Sequence, residues 1–266
     1  MIPPPAQAYL TTVDERLPGF AEGVYLVGSA ALGAWQAGVS DVDLIVFTSR
    51  PPTADDLADI AEVHAENPGV DGVYLEPGLA GTFPSAREIV PFVMGGELQT
   101  GKPCGELTPV VWLIFHKYGV SLRGPDPADL AVPVSAEALR RYNLDNLREY
   151  WRAAAEAMPG LLADVPPDLI LDAETVTWYV HGPARLHYTL ATGDIIAKSS
   201  AGPYLASLFP EYADLARRAT EWRTGADVSF VKADLLTAAE SVIAVADDAW
   251  RRFGQSDGTA DGAGAR

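Results

Sequence analysis

Two short stretches of the sequence hold residue types that can do chemistry at their spacing. The first is Val27-Gly28-Ser29 and the second is Ser40-Asp41-Val42-Asp43-Leu44, about eleven residues further on. Glycine at position 28 allows a backbone conformation, or a close approach, that a side chain would block. Ser29 then opens a helical stretch, where backbone N–H groups favour a phosphate. Asp41 and Asp43 are two residues apart at the start of a strand-like run, and a period of two puts both carboxylates on one face. Two such charges repel each other, and a divalent cation removes the repulsion. Magnesium suits best, since it takes carboxylate and phosphate oxygens and keeps some of its water. A D-x-D pair alone is most often a strand end meeting solvent, and a Gly-Ser pair alone says less. Their combination in a strand–turn–helix–strand context carries the signal. Gly28, Ser29 and Ser40 are therefore candidate phosphate contacts, and Asp41 and Asp43 candidate metal ligands.

Positioning these residues requires a particular set of elements. The apolar runs 24–27 and 42–47 predict buried strands on either side of a short helix over 30–37. A helix over 6–17 precedes them, after an irregular proline-rich opening. Thr53 caps a helix beginning ADDLADIAEVHAE, with acids in its first turn. Residues 70–76 alternate between two Pro-Gly pairs and predict a third strand. Thr108-Pro109 starts a helix that Gly119 ends. The rest of the chain is helical, with patterns over 135–158, 172–191, 209–223 and 228–253. The change of character falls in the proline-rich stretch 124–134. The sequence thus predicts an N-terminal α+β domain over 1–124, a mixed sheet with flanking helices. An all-α helical bundle over 135–253 follows, and then a small, polar, disordered tail over 254–266.

Composition bounds the function. Of 266 residues, 48% are hydrophobic and 21% charged, enough for a packed core. With 36 acidic and 19 basic residues the net charge is −17, which disfavours nucleic acid as a partner because phosphates need clustered Lys and Arg. The single cysteine, Cys104, excludes an internal disulfide framework and has no evident catalytic partner. His64, His116, His181 and His187 show no ligand spacing and read as surface or hydrogen-bonded core histidines. Trp112 reads as core. No apolar run is long enough to span a bilayer, and the opening residues lack the pattern of a secretory signal. A cytoplasmic protein that does not bind membranes is expected.

The segment VGSAALGAWQAGVSDVDLIV resembles the G-S-x(10)-D-x-D signature of the DNA polymerase β-type nucleotidyltransferase superfamily. Across residues 20–250 the chain resembles the aminoglycoside adenylyltransferases that modify streptomycin and spectinomycin, through FPSAREIVPFVMGGELQ, GVSLRGPDP, RLHYTLATGDIIAK and FVKADLLTAAESV. The resemblance implies an N-terminal nucleotidyltransferase domain and ATP as co-substrate. AMP would pass to a hydroxyl of a small cationic or polyhydroxylated acceptor; separately from the resemblance, a monomer is expected by default. It implies a third carboxylate as general base on the strand after the D-x-D strand. Asp71 matches that position, where the family usually has glutamate. Glu76 is the alternative on the same strand, but period two turns it to the opposite face. It further implies that Arg185 and Lys198 contact ATP. At the acceptor side, Glu174 and Trp178 stand at or beside positions where the family has an acid and a histidine. Two other readings keep the same residues: transfer to another small-molecule or protein hydroxyl, and a non-catalytic nucleotide-binding relative.

Overall fold

The computed structural model describes residues 2–76, 88–130, 132 and 134–255. The chain divides after Ser135 into two compact units. The first runs α1 (Pro4–Arg16), β1 (Ala21–Leu26), α2 (Gly28–Ala31), β2 (Val42–Thr48), α3 (Ala54–Glu66), β3 (Val70–Leu75), β4 (Phe92–Met94), β5 (Glu97–Gln99), α4 (Pro109–Tyr118) and β6 (Val120–Arg123). Its strands form one sheet in the order β5-β4-β3-β2-β1-β6. β2 and β3 run parallel and the other neighbours antiparallel, so the sheet is mixed.

The alternation of β2 explains how the sheet is covered. Val42, Leu44 and Val46 point to one face and pack with Ala6, Tyr9 and Val13 of α1 and Ile60 and Val63 of α3. The other face carries Tyr25 and Phe47, which meet Phe115 of α4 edge to face at centroid distances of 5.1 and 6.2 Å. Each such buried side chain contributes roughly 1.5–3 kcal/mol. Under α1 and α3 runs a fixed chain of hydrogen bonds. The Val70 carbonyl can only accept, so His64 Nδ1 carries the proton (2.7 Å), and Nε2 accepts from the Tyr74 hydroxyl (2.8 Å). Tyr74 in turn receives Tyr9 (2.9 Å).

The predicted caps are present. Thr53 Oγ1 accepts from Asp56 N at 3.3 Å, and Asp56 Oδ2 accepts from Thr53 N at 2.7 Å. Arg50, the largest influence on Asp56, holds its carboxyl far below the usual range. Thr108 caps α4 through Val111 N. Three expectations need correcting. Pro4 and Pro5 lie in the first turn of α1, where a missing N–H costs nothing. The helix expected over 30–37 is a single turn over Gly28–Ala31, followed by turns. Strands β4, β5 and β6 were not expected, being only three or four residues long.

The second unit runs α5 (Ala136–Asp145), a π-helical stretch Asn146–Arg152, α6 (Ala153–Leu161), α7 (Ala173–Thr192), α8 (Lys198–Leu208), a short 3-10 turn Pro210–Tyr212, α9 (Ala213–Arg223) and α10 (Lys232–Phe253). Its core gathers Trp151, Val176, Tyr179, Ala184, Leu205, Ala216, Phe230 and Val242. Helix α8 was not expected, because Gly202-Pro203 reads as a break. There the glycine serves packing: a Cβ at 202 would stand 2.8 Å from the Ala216 carbonyl oxygen, so only glycine lets α8 and α9 approach so closely. Buried His187 ties three helices together. Its Nε2–H donates to Asp248 of α10 (2.9 Å), and Nδ1 accepts from the Tyr204 hydroxyl of α8 (2.8 Å). No described helix is long and apolar enough to cross a membrane. Of the tail expected to be disordered, 256–266 lies outside the described residues, as do 83–87 of the resembling segment 83–99.

Candidate functional site

The parallel pairing of β2 and β3 places the acids. Asp43 stands directly opposite Asp71 in the register. Strand alternation puts Asp43 on the face of Ile45 and Phe47, and Asp71 on that of Val73 and Leu75, so the two side chains share the face covered by α4. Asp41 is exposed and lies just before β2, where Val42 N bonds to the Gly69 carbonyl at 2.8 Å. Glu76 is exposed, past the end of β3, with the opposite parity.

Gly28 forms the corner beside this pair. Val27 N donates to the Asp43 carbonyl at 2.9 Å, which brings the end of β1 against the start of β2. Gly28 has φ +57, and a Cβ there would overlap Asp43 Oδ2 and stand 2.7 Å from its carboxyl carbon. Both conformation and space therefore demand glycine. Ser29 is half-buried in the single turn that follows. Ser40 closes the loop, its Oγ accepting from Gln36 N (3.3 Å) and its N donating to the Gln36 carbonyl (2.9 Å).

Asp71 is held from a second side. The hairpin between β4 and β5 turns on Gly95 (φ +59) and Gly96 (φ +80), a two-residue loop of the kind glycine pairs favour. Gly95 N donates to Asp71 Oδ1 at 2.9 Å. Burial raises the Asp71 carboxyl above its ordinary range and the negative charge of Asp41 adds to this, while the Gly95 and Gly96 N–H groups oppose it. Glu106 is raised as well, first by burial and then by the charge of Asp71. Sequence reasoning missed Glu106 and the Gly95-Gly96 turn, although a Gly-Gly pair between apolar runs is a hairpin signal.

Among the described residues, no group of three or more His, Cys, Asp or Glu could hold a metal ion by itself. Magnesium rarely asks for one: one or two carboxylates suffice when substrate phosphates and water complete the shell. Asp41 and Asp43, beside a corner that a Cβ would fill, fit an ion that arrives with a phosphate.

In the helical unit, Glu174, Trp178, His181 and Arg185 recur at helical spacing along α7. Arg185 Nε donates to the Ile196 carbonyl at 3.0 Å, and exposed Lys198 is the first residue of α8. Trp178 is 38% exposed, its ring 4.1 Å from that of Trp151 and 5.8 Å from that of Tyr150. Glu174 is exposed, and its charge acts on Arg223. His181 corrects an expectation: it is buried, yet its Nε2 has no hydrogen-bond partner. The burial expected of Trp112 is found, and Cys104 is fully buried with its thiol pushed up by that burial.

Residues 8–76, which include Gly28, Ser29, Asp41, Asp43 and Asp71, match the family model for the nucleotidyltransferase domain. No curated protein matches the chain significantly by sequence. Among solved structures, the spectinomycin adenyltransferase AAD(9) from Enterococcus faecialis, determined with ATP and spectinomycin, is similar in fold. The TM-score is 0.66 and the identity 14%, over 91% of this chain and 98% of that one. By the nucleotidyltransferase domain over residues 8–76 the chain is an enzyme of the nucleotidyltransferase class, and its fold is similar to that of this spectinomycin adenyltransferase.

Proposed function

We propose that the protein transfers AMP from ATP to a hydroxyl of an aminoglycoside or aminocyclitol, with magnesium as cofactor. The observation that carries this reading is the in-register pair Asp43–Asp71 beside the Gly28 corner. Asp41 and Asp43 would hold the magnesium ion, which when bound neutralises triphosphate charge and orders the phosphates for in-line displacement. Gly28, Ser29 and Ser40 accommodate the phosphates at the corner. Asp71 takes the proton of the acceptor hydroxyl on a carboxylate oxygen, and Gly95 N–H fixes its orientation. A carboxylate raised above its usual range is the stronger base once ionised. The acceptor oxygen bonds to the α-phosphorus, the bond from that phosphorus to the bridging oxygen breaks, and pyrophosphate leaves. Arg185 and Lys198 balance the triphosphate charge.

For the acceptor, Trp178 offers a partly exposed aromatic face to a sugar or cyclitol ring, and Glu174 a carboxylate. The net charge of −17 attracts a polycation, and the protein acts as a cytoplasmic monomer. The deciding experiment incubates the protein with ATP, magnesium and a panel including streptomycin and spectinomycin. Mass analysis should find one antibiotic gaining an adenylyl group with release of pyrophosphate. ATP binding with no adenylylated product for any acceptor would instead favour the nucleotide-binding relative without turnover.

A further inference from the structure

The helical unit contains a buried polar atom that nothing in the unit satisfies. His181 is 3% exposed, and its Nε2 finds no hydrogen-bond partner. Leaving such a group unmatched costs about 1–3 kcal/mol. The other two buried histidines differ: both ring nitrogens of His64 and of His187 are bonded.

Three cations from three helices bear on this ring. Arg185 lies one turn further along α7, with Nε anchored to the Ile196 carbonyl just before α8. Lys198 opens α8, and Arg223 ends α9, the helix that α8 meets across Gly202. Arg223 is half-buried and forms no ion pair among the described residues, with Glu174 acting on it only at longer range. Burial, followed by the charges of Arg223, Lys198 and Arg185, pushes the His181 imidazole down to about 3, so the ring is neutral. Positive charges from three helices acting on one unmatched buried nitrogen favour an anion of more than one charge.

We propose that Arg223 and His181 join Arg185 and Lys198 in one anion-binding face of the helical unit, and that its ligand is the polyphosphate chain of a nucleoside triphosphate. His181 donates from Nε2–H to a phosphate oxygen, and Arg223 donates from its guanidinium. The choice of polyphosphate rests on the nucleotide reading above; the cluster of cations around an unmatched nitrogen does not.

Calorimetry on the full chain, with ATP and separately with inorganic tripolyphosphate, tests the proposal. Arg223→Gln should weaken both ligands about ten-fold or more, the size of one charge-assisted hydrogen bond, and raise KM for ATP but not for the acceptor. Arg217→Gln, at an exposed arginine paired with Asp214 and Glu221, should change neither affinity. Wild-type affinity in Arg223→Gln would overturn the proposal while leaving AMP transfer standing. Tripolyphosphate binding that depends on Arg223, in a protein that does not bind ATP, would keep the anion face and overturn the nucleotide reading. Failure to bind either ligand would overturn both. For His181, the Nε2 resonance of nitrogen-15 histidine in the wild-type protein should move when tripolyphosphate is added, and a stationary resonance would remove His181 from the face.

Discussion

The two units build their charged surfaces by different means. In the sheet unit, Asp43 and Asp71 are placed by backbone pairing, since the β2–β3 register sets one opposite the other. In the helical unit, Arg185, Lys198 and Arg223 come from three helices, and their charges all act on buried His181. The difference lies in what each arrangement depends on. Register locks every side chain of a strand at once, and a one-residue slip would turn the acids to the other face. Such an arrangement depends instead on how closely those helices approach, as α8 and α9 do at Gly202.

The contrast can be tested from its largest consequence to its smallest. Asp43→Ala should lower AMP transfer by about a thousand-fold or more, as removal of electrostatic stabilisation at a transition state does. Circular dichroism should remain native, and undiminished pyrophosphate release would remove Asp43 from the chemistry. Gly28→Ala adds a methyl group where Asp43 already stands, in a left-handed conformation, and should destabilise the protein by roughly 1–3 kcal/mol in urea titration. A neutral result would mean that the corner is not tightly built.

The smallest effect concerns pH. His181 has its folded pKa depressed to about 3, while an unfolded histidine titrates near 6.5. Between those values the unfolded chain binds more protons, so stability falls as pH drops below about 6.5, by at most about 1.4 kcal/mol per pH unit. His64 and His187 are depressed in the same direction, chiefly by burial. The difference in urea midpoint between the wild-type protein and His181→Phe therefore isolates the ring. The wild-type midpoint should fall relative to that of His181→Phe as the pH is lowered from 7 to 4.5, and a constant difference would show that His181 is not neutralised by folding.

How far the sequence could be read follows the same contrast. Caps and periodic runs speak locally, and they located β1, β2, β3, α3 and α4, as well as α7, expected over 172–191. The parity that separates Asp71 from Glu76 was equally legible, because it needs only a period of two. Three-residue strands such as β4 and β5 are too short to show a period, and β6 follows directly after the glycine that ends α4. Gly202-Pro203 hid α8, since a glycine used for close packing looks like one used for a turn. Arg223 lies 42 positions after His181, and no local pattern announces that its charge acts on that ring. Tertiary packing alone brings them together.

The Gly95-Gly96 turn has an evolutionary consequence. It steers Asp71 from an edge hairpin rather than from the strand that bears the acid. Lengthening or reshaping that hairpin would change the reach and basicity of the carboxylate without disturbing the central strands. If Asp71 is the base proposed above, a lineage could thereby adapt to hydroxyls of different depth or acidity by editing a peripheral loop and leaving its innermost architecture alone.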